Sequence, residues 1–243
     1  MAKHRVGAWV RSSLVGSLLG LSLGHLLLSS IAQAQIVPDG TLGTQAIPFT
    51  LGACGGTGGN CFILNGTQRG ANLFHSFQQF SLPNPTDGAV FFTDPATQNV
   101  IVRVTGIGQP FISNINGTIQ TSNPANFFLL NPNGIVFGPG ARLLIGGSFL
   151  ATTAERMLFQ DGTVFDTRDQ TVAPLLTVSV PVGLQFGSTP GSINSGMQIG
   201  AGLNSLFTDF ALVGGNVNFT GSNILAPGRN IEIGSITEPG TVG

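Results

Sequence analysis

The residues best suited to chemistry form one charged cluster in the second half of the chain. The cluster comprises Glu155, Arg156, Asp161, Asp166, Arg168 and Asp169. Polysaccharide-degrading enzymes use aspartates, arginines and calcium, so this cluster is where an enzyme site would lie. Calcium takes six or more oxygen ligands, and three aspartates spaced five and three residues apart match no known calcium loop. A solvated loop is therefore the favoured interpretation, with a hidden enzyme site as the alternative, and no metal site is predicted.

Residues 1–34 have the pattern of a secretory signal peptide. The basic start consists of Lys3, His4, Arg5 and Arg11. An apolar stretch follows at residues 14–31, and Ala32-Gln33-Ala34 is a small-x-small cleavage site. The mature chain is therefore predicted to begin at Gln35, directly after Ala34. The alternative is an uncleaved anchor, since residues 12–31 are about long enough to span a bilayer.

Without this leader, the chain keeps few of the side chains that catalysis uses. Six arginines, no lysine, ten acidic residues and one histidine remain, for a formal net charge of −4. Acid–base and nucleophilic catalysis rely heavily on His and Lys, so the composition argues against an enzyme. The histidine, His75, lies beside Phe74, where a packed residue is favoured over a catalyst. The lack of a basic field also argues against nucleic acid as a partner.

Cys54 and Cys61 are the two cysteines of the chain and flank a glycine-rich loop. In an oxidising compartment such a pair is expected to form a disulfide that staples the loop. Half a metal site and two free thiols are the alternatives. Zinc needs four ligands, and one histidine beside two cysteines does not supply them.

Short apolar runs bounded by Gly, Asn, Pro, Ser and Asp predict strands along the mature chain. The main ones are 72–82, 99–105, 112–120, 127–130, 134–137, 141–145, 175–180, 183–186, 210–213, 217–219 and 231–233. Residues 148–159 alone give a hint of helix. Asn-Gly pairs at 65–66, 116–117 and 133–134 predict two-residue turns.

The spacing of these strands favours a solenoid. Glycines at 214, 215, 221, 228 and 234 recur with apolar pairs between them. This cadence is typical of coils of roughly 20 residues that stack in register. Stacked coils bury a continuous core and allow Asn side chains to form ladders from coil to coil. A β-sandwich with regularly spaced strands is the alternative.

The segment NFFLLNPNGIVFGPGARLLI (residues 126–145) contains Asn131-Pro132-Asn133-Gly134-Ile135. These five residues are identical to a motif of the N-terminal secretion domain of filamentous-haemagglutinin-type two-partner-secretion exoproteins, which the chain resembles over roughly residues 36–240. Further blocks follow in the family's order: LFHSFQQFSL (73–82), VRVTG (102–106), INGTI (115–119), GGSFLA (146–151) and VGLQF (182–186). The family's second motif, Asn-Pro-Asn-Leu, is absent, and residues 94–98 stand in its place.

The resemblance implies an all-β domain over residues 35–243, a right-handed parallel β-helix with extra-helical β-hairpins. It implies passage through the secretory translocon and then recognition by the periplasmic domains of a dedicated outer-membrane β-barrel transporter. The product is secreted or held at the surface of a Gram-negative cell. There the domain is expected to nucleate folding of a β-helical adhesin, without a cofactor.

Two segments are candidates for contact with the transporter. Asn131, Pro132, Asn133, Gly134 and Ile135 are the family's motif, although from the residues alone they predict a tight turn with Gly134 at positive φ. Leu73, Phe74, Phe77 and Phe80 belong to an amphipathic strand that could add to a sheet edge of the partner. An ordinary structural strand is the alternative for this second segment.

Three classes of function stay open at this point. The favoured class is a secretion-targeting and adhesin-nucleating domain. The second is a stand-alone extracellular β-helical protein, structural or carbohydrate-binding, with a host-cell or surface glycan as its target. A β-helical polysaccharide-degrading enzyme is less favoured.

Overall fold

Short strands that follow one another around a coil build almost all of this protein. The computed structural model describes residues 35–49, 53–56, 58–171, 176–199 and 206–243. The predicted signal peptide, with Ala34, lies outside the described residues. The described residues, all from Gln35 onward, belong to one compact unit. Among the described residues, no helix has the length and apolar character needed to cross a membrane.

The described residues contain one short 3-10 helix, Gln109–Phe111, and twenty-one strands. The strands are β1 (Ile36–Pro38), β2 (Thr44–Pro48), β3 (Gly59–Asn65), β4 (Thr67–Arg69), β5 (Asn72–Phe80), β6 (Asp87–Phe91), β7 (Asn99–Val104), β8 (Ser113–Ile115), β9 (Thr118–Leu130), β10 (Ile135–Phe137), β11 (Arg142–Thr152), β12 (Arg156–Phe159), β13 (Val164–Asp166), β14 (Pro181–Phe186), β15 (Ile193–Ser195), β16 (Gln198–Ile199), β17 (Phe210–Gly214), β18 (Val217–Phe219), β19 (Asn223–Ile224), β20 (Ile231–Ser235) and β21 (Gly240–Val242).

The coils stack in parallel and in register. On the first face, β5, β7, the end of β9, the end of β11, β17 and β20 pair in that order. Equivalent positions of successive coils lie 27, 27, 22, 61 and 21 residues apart. The step of 61 residues contains an insertion outside the coils. The predicted parallel β-helix is confirmed, with coils slightly longer than expected.

Two further faces complete each coil. The second face pairs β3 with β6 and then with the first parts of β9 and β11, so these two long strands bend around a corner. The third face pairs β8, β10, β15 and β18, all parallel. Strands that meet in this way enclose a core between three faces instead of packing as two sheets, which rules out the sandwich alternative.

Phenylalanines fill much of the interior. Phe127, Phe149 and Phe210 occupy equivalent positions in three coils, with ring centroids 6.1 and 5.7 Å apart and nearly parallel planes. Phe91 packs edge-on against Phe127 at 4.9 Å. Each aromatic pair adds about 0.5–1.5 kcal/mol beyond the burial of its area. Val100, Val102 and Val104, which alternate along β7, have their side chains in this same core.

An antiparallel sheet lies outside the coils and covers the first face. Strands β13, β12, β14 and β21 pair in that order. A second core of buried apolar side chains is formed here, and it includes Phe74, Ile101, Leu130, Met157, Phe165 and Leu184. The extra-helical hairpins implied by the resemblance are therefore present. They explain the 61-residue step, because β12 to β14 all fall between β11 and β15.

Two local expectations were wrong. The helix hinted at for residues 148–159 is the end of β11 followed by β12. The strand predicted at 175–180 is irregular over its described part, 176–180. Each Asn-Gly pair lies at the junction of two successive strands that do not pair with each other, so the chain changes direction there without forming a hairpin.

The two ends of the β-helix differ. Strands β1 to β4, hereafter the N-terminal cap, cover the first coil: β1 and β4 pair antiparallel with β5, and β3 pairs with β6. At the other end, β20 pairs with β17 and is the last strand of its face. Among the described residues, the N-terminal end is therefore covered, whereas the outer edge of β20 at the C-terminal end is unpaired.

Candidate functional site

The Asn131–Ile135 motif forms the corner between β9 and β10 in the third coil. Asn131 is fully buried, and its Nδ2 donates to the carbonyl oxygen of Phe111 (2.8 Å) and to Ser113 Oγ (2.9 Å). Its Oδ1 accepts from the backbone N of Asn133 (3.1 Å) and from Asn133 Nδ2 (2.8 Å). The amide of Asn131 thus uses both donor hydrogens and its oxygen to hold the turn against the preceding coil.

Asn133 extends this bonding in the same direction. Its Nδ2 donates to the carbonyl oxygen of Gly106 (2.8 Å), and its Oδ1 accepts from the backbone N of Gly108 (2.7 Å). Sequence reasoning predicted the turn but not this bridge to a loop 25 residues upstream. Asn133 and Pro132 are half-buried and line a cavity of about 90 Å³ beside Arg168.

The glycine of the motif allows the following coil to approach. Gly134 has φ of 124°, as the predicted turn requires, and a Cβ there would lie 3.0 Å from the carbonyl oxygen of Ser192. Gly191 of the next coil donates its N–H to the carbonyl oxygen of Pro132 at 3.1 Å. Ile135 is buried in the core and pairs with Ser113 and Ile193. The motif therefore ties three coils together.

The second candidate segment is β5, at the centre of the first coil. Leu73, Phe74, Phe77 and Phe80 are all buried. One edge of β5 pairs with β1 and β4 and the other with β7. In the folded domain β5 therefore has no edge available for strand addition. Capture by a partner strand would need a chain that has not yet folded, and the transporter-binding role of these residues stays a prediction.

The glycine-rich loop is organised around a buried carboxylate. Cys54 and Cys61 are joined in a disulfide, with Cα atoms 5.5 Å apart. Asp87, at the start of β6, accepts from the backbone N of Gly56 (3.0 Å), Gly58 (2.8 Å) and Asn84 (2.8 Å). Sequence reasoning missed Asp87, because its two glycine partners lie about 30 residues away and have no side chains.

The charged cluster belongs to the extra-helical sheet and the turns beside it. Arg156 pairs with Asp166 at 2.6 Å, and Arg168 pairs with Glu155. A hydrogen bond from Thr177 lowers the pKa of Asp161, and one from Thr171 lowers that of Asp169. Within the described part of the chain, no three potential ligands are grouped to hold a metal ion. The geometry agrees with a solvated structural cluster.

A buried arginine joins the coils, the cap and the extra-helical sheet, and no pattern in the sequence indicates this role. Arg103 on β7 is fully buried, donating to Ser76 Oγ (2.8 Å), Thr41 Oγ1 (3.1 Å) and the carbonyl oxygen of Asp166 (2.5 Å). Its guanidinium lies 4.8 Å from the ring centre of Phe165. Burial lowers the pKa of Arg103, while nearby aspartates oppose that shift.

Asparagines also form a ladder along the first face, as stacked coils predict. Asn99 Nδ2 donates to Asn72 Oδ1 at 2.8 Å, and Asn126 Nδ2 donates to Asn99 Oδ1 at 2.9 Å. Asn126 Oδ1 then accepts from the backbone N of Ser148 at 2.9 Å. The ladder ends at Asn72, whose Nδ2 donates to the carbonyl oxygens of residues 177 and 179.

These features define a β-helical domain whose signature motif is built into its coils and whose charged groups serve structure. The family model for the TPS secretion domain (two-partner secretion) matches residues 34–243. The chain belongs to this family. A comparison with curated proteins finds no match. The protein thus carries a targeting and structural domain of a two-partner-secretion exoprotein, a class exported through a partner transporter in the outer membrane.

Proposed function

We propose that this domain is recognised in the periplasm by its outer-membrane transporter and then nucleates β-helix folding outside the cell. The observation that supports the proposed nucleation of folding is the difference between the two ends of the β-helix. The N-terminal cap pairs with both β5 and β6, whereas the last coil is uncovered. A module that starts a solenoid needs this polarity, since capping repeats close one end and stacking proceeds from the other.

The last coil exposes apolar side chains and an unpaired strand edge on which a further coil can stack. Ile231 and Ile233 are in register with the core residues Phe210 and Leu212 of the previous coil, yet they are 42% and 45% exposed. Leu225, beside β19, is 52% exposed. A further coil of polypeptide would bury these side chains and pair with the free edge of β20. Repeats stacked in this way fold by propagation from a nucleated end.

Recognition is proposed to precede folding, because the folded domain hides the candidate strand. Phe74, Phe77 and Phe80 are buried, and β5 is paired on both edges. In an unfolded chain the same nine residues offer four large apolar side chains and free backbone groups, which suit addition to a sheet edge of a periplasmic domain. Folding on the outer side would then withdraw the strand from the transporter and favour outward movement.

A secretion assay tests the whole proposal. The full chain is expressed in a Gram-negative host with and without its outer-membrane transporter, and folded protein is measured in the periplasm and the medium. We expect release that depends on the transporter, and mass spectrometry of the released chain should place its first residue at Gln35. Equal release without the transporter would favour the stand-alone extracellular protein.

A binding assay separates recognition from release. Peptides spanning residues 71–82 and, as a matched control of similar β-forming character, residues 97–106 are titrated onto the isolated periplasmic domains. We expect the first peptide and the urea-unfolded chain to bind, and the folded domain and the control peptide to bind weakly or not at all. Tight binding of the folded domain would contradict recognition through β5.

A further inference from the structure

The ring of His75 is enclosed in the core just beneath the N-terminal cap. The side chain is fully buried, with ring centroids of Phe91 at 5.2 Å and Phe77 at 6.3 Å. Its Nδ1 lies 3.2 Å from Thr44 Oγ1 of the cap. Its Nε2 has no hydrogen-bond partner among the described residues. One nitrogen of a buried imidazole is therefore left without a hydrogen-bond partner.

The cap closes directly over this ring. Thr44 Oγ1 also accepts from the backbone N of Ser76 at 3.2 Å, so one threonine of β2 holds two successive residues of β5. The turn between β3 and β4 lies against the imidazole: a Cβ at Gly66 would be 2.8 Å from its Cε1. Water can therefore reach the ring only when β2 and this turn move away from the first coil.

Among the residues that the structure describes, no charged side chain faces the ring. Phe91 packs on it from β6, Thr44 from β2 and Phe77 from its own strand, and Val102 of β7 pairs with it in register. The charged residues of the neighbouring elements are engaged elsewhere. Asp87 accepts from backbone amides of the glycine-rich loop, Arg69 donates to the carbonyl oxygen of Gln68, and Arg103 and Asp39 meet at Ser76. A protonated, positively charged ring at this position would therefore have no counter-charge.

We propose that His75 makes the N-terminal cap an acid-releasable latch: the neutral ring holds β2 and the Gly66 turn closed, and protonation opens them and uncovers β5. The switch lies where the first coil meets the cap, because the coils from β9 onward hold no histidine. Opening would free the β1 and β4 edge of β5, whose other edge stays paired with β7. The inference stands on the geometry of the cap, whether or not the transporter recognises β5.

The direction of the pH dependence follows from the burial of the ring. Burial lowers the pKa of His75 to about 3, whereas an exposed histidine titrates near 6.5. The open cap therefore takes up a proton below pH 6.5 while the closed cap does not. Closure is fully favoured above that pH and weakens progressively down to about 3. By this linkage the opening constant rises about 30-fold between pH 7.5 and pH 5.

Hydrogen–deuterium exchange of the secreted domain tests the latch. Protection factors, corrected for the pH dependence of intrinsic exchange, are compared at pH 7.5 and pH 5 for the cap strands β2 and β3 and for β9 and β11. We expect cap opening to increase about 30-fold at pH 5 while β9 and β11 stay protected. In His75→Phe, which fits the same aromatic site but does not titrate, cap protection should not depend on pH.

The wild-type protein alone can overturn the inference, even if His75→Phe folds poorly. Unchanged cap protection between the two pH values, or an equal loss of protection in β9 and β11, would each contradict a local latch. A folded His75→Phe domain whose cap still opens at pH 5 would do the same. None of these outcomes depends on the transporter, so failure of the latch is distinguishable from failure of the proposed secretion role.

Discussion

Arg103 and Asp39 face each other across two hydroxyl groups. Ser76 Oγ accepts from Arg103 Nε at 2.8 Å and donates to Asp39 Oδ2 at 2.5 Å. Thr41 Oγ1 accepts from Arg103 Nη2 at 3.1 Å and donates to Asp39 Oδ1 at 2.8 Å. Burial by itself raises the pKa of Asp39, but the bonds from Ser76, Thr41 and Thr105 outweigh it and lower that pKa overall. These hydrogen bonds between Arg103, Asp39 and the two hydroxyls, hereafter the relay, link the cap with the first two coils. Through Asp166 the relay also reaches the extra-helical sheet.

Replacing Arg103 with leucine should destabilise the domain by about 2–4 kcal/mol, because the change removes three hydrogen bonds from a buried charge and leaves Asp39 without a counter-charge. The measurement is urea unfolding of the secreted domain. The exposed Arg142→Leu is the matched control and should change stability by less than about 0.5 kcal/mol.

A double-mutant cycle with Asp39→Asn isolates the relay. We expect a coupling free energy of about 1–3 kcal/mol between residues 39 and 103, since they share both hydroxyl bridges. Additive effects of the two substitutions would show that the hydroxyls carry no energetic link between the charges.

The core inside the coils was predictable from local pattern, whereas the second core, beneath the extra-helical sheet, was not. Val100, Val102 and Val104 alternate, and this places them in the β-helix core. The same alternation predicts that Ile101 and Arg103 face water, but both are buried. The residues that cover them lie on β12 to β14, more than 50 positions later. No local period contains that information.

The candidate site was likewise predictable only in part. The motif residues predicted a turn with Gly134 at positive φ, and this is what the chain forms. The partners of Asn131 and Asn133 lie 18 to 27 residues upstream, one coil away. Sequence reasoning can propose such bonds only after the coil length and register are known, because stacking decides which residues meet.

Gly191→Ala should be among the most damaging single substitutions. A Cβ at this position would lie 2.5 Å from the carbonyl oxygen of Pro132 and 2.6 Å from the backbone N of Gly134. Because both neighbours are backbone atoms of the motif turn, the fourth coil must shift away from the third, at a cost of about 3 kcal/mol or more.

Gly240→Ala provides the control for this glycine. It adds the same methyl group where no atom lies within 4 Å, and it should leave the urea midpoint unchanged. Equal effects of the two substitutions would mean that the coil contact at Gly191 is not tight in solution.

Loss of the disulfide should have a moderate and local effect. The Cys54–Cys61 loop spans 7 residues, and closing so short a loop stabilises by about 2 kcal/mol. We expect the Cys54→Ala/Cys61→Ala double variant to unfold at lower urea by that amount. A thiol assay of the unfolded wild-type protein should find no free cysteine, and reduction should reproduce the stability of the variant. Two free thiols per unfolded chain would show that the pair is not oxidised on export.

Asn131→Ala separates a shaping role of the motif from direct contact with the transporter. Removing the amide leaves the carbonyl oxygen of Phe111 and Ser113 Oγ without their buried donor, so the domain should lose about 2–4 kcal/mol. If the motif acts only by shaping the coils, secretion should follow stability. Asn131→Ala and Gly191→Ala should then be secreted to the same extent when their stabilities are equal.

Asn133→Ala adds the decisive comparison, because the side chain of Asn133 is half-buried and reaches the surface. Secretion of Asn133→Ala far below the level that its stability predicts would contradict shaping alone and indicate contact with the transporter.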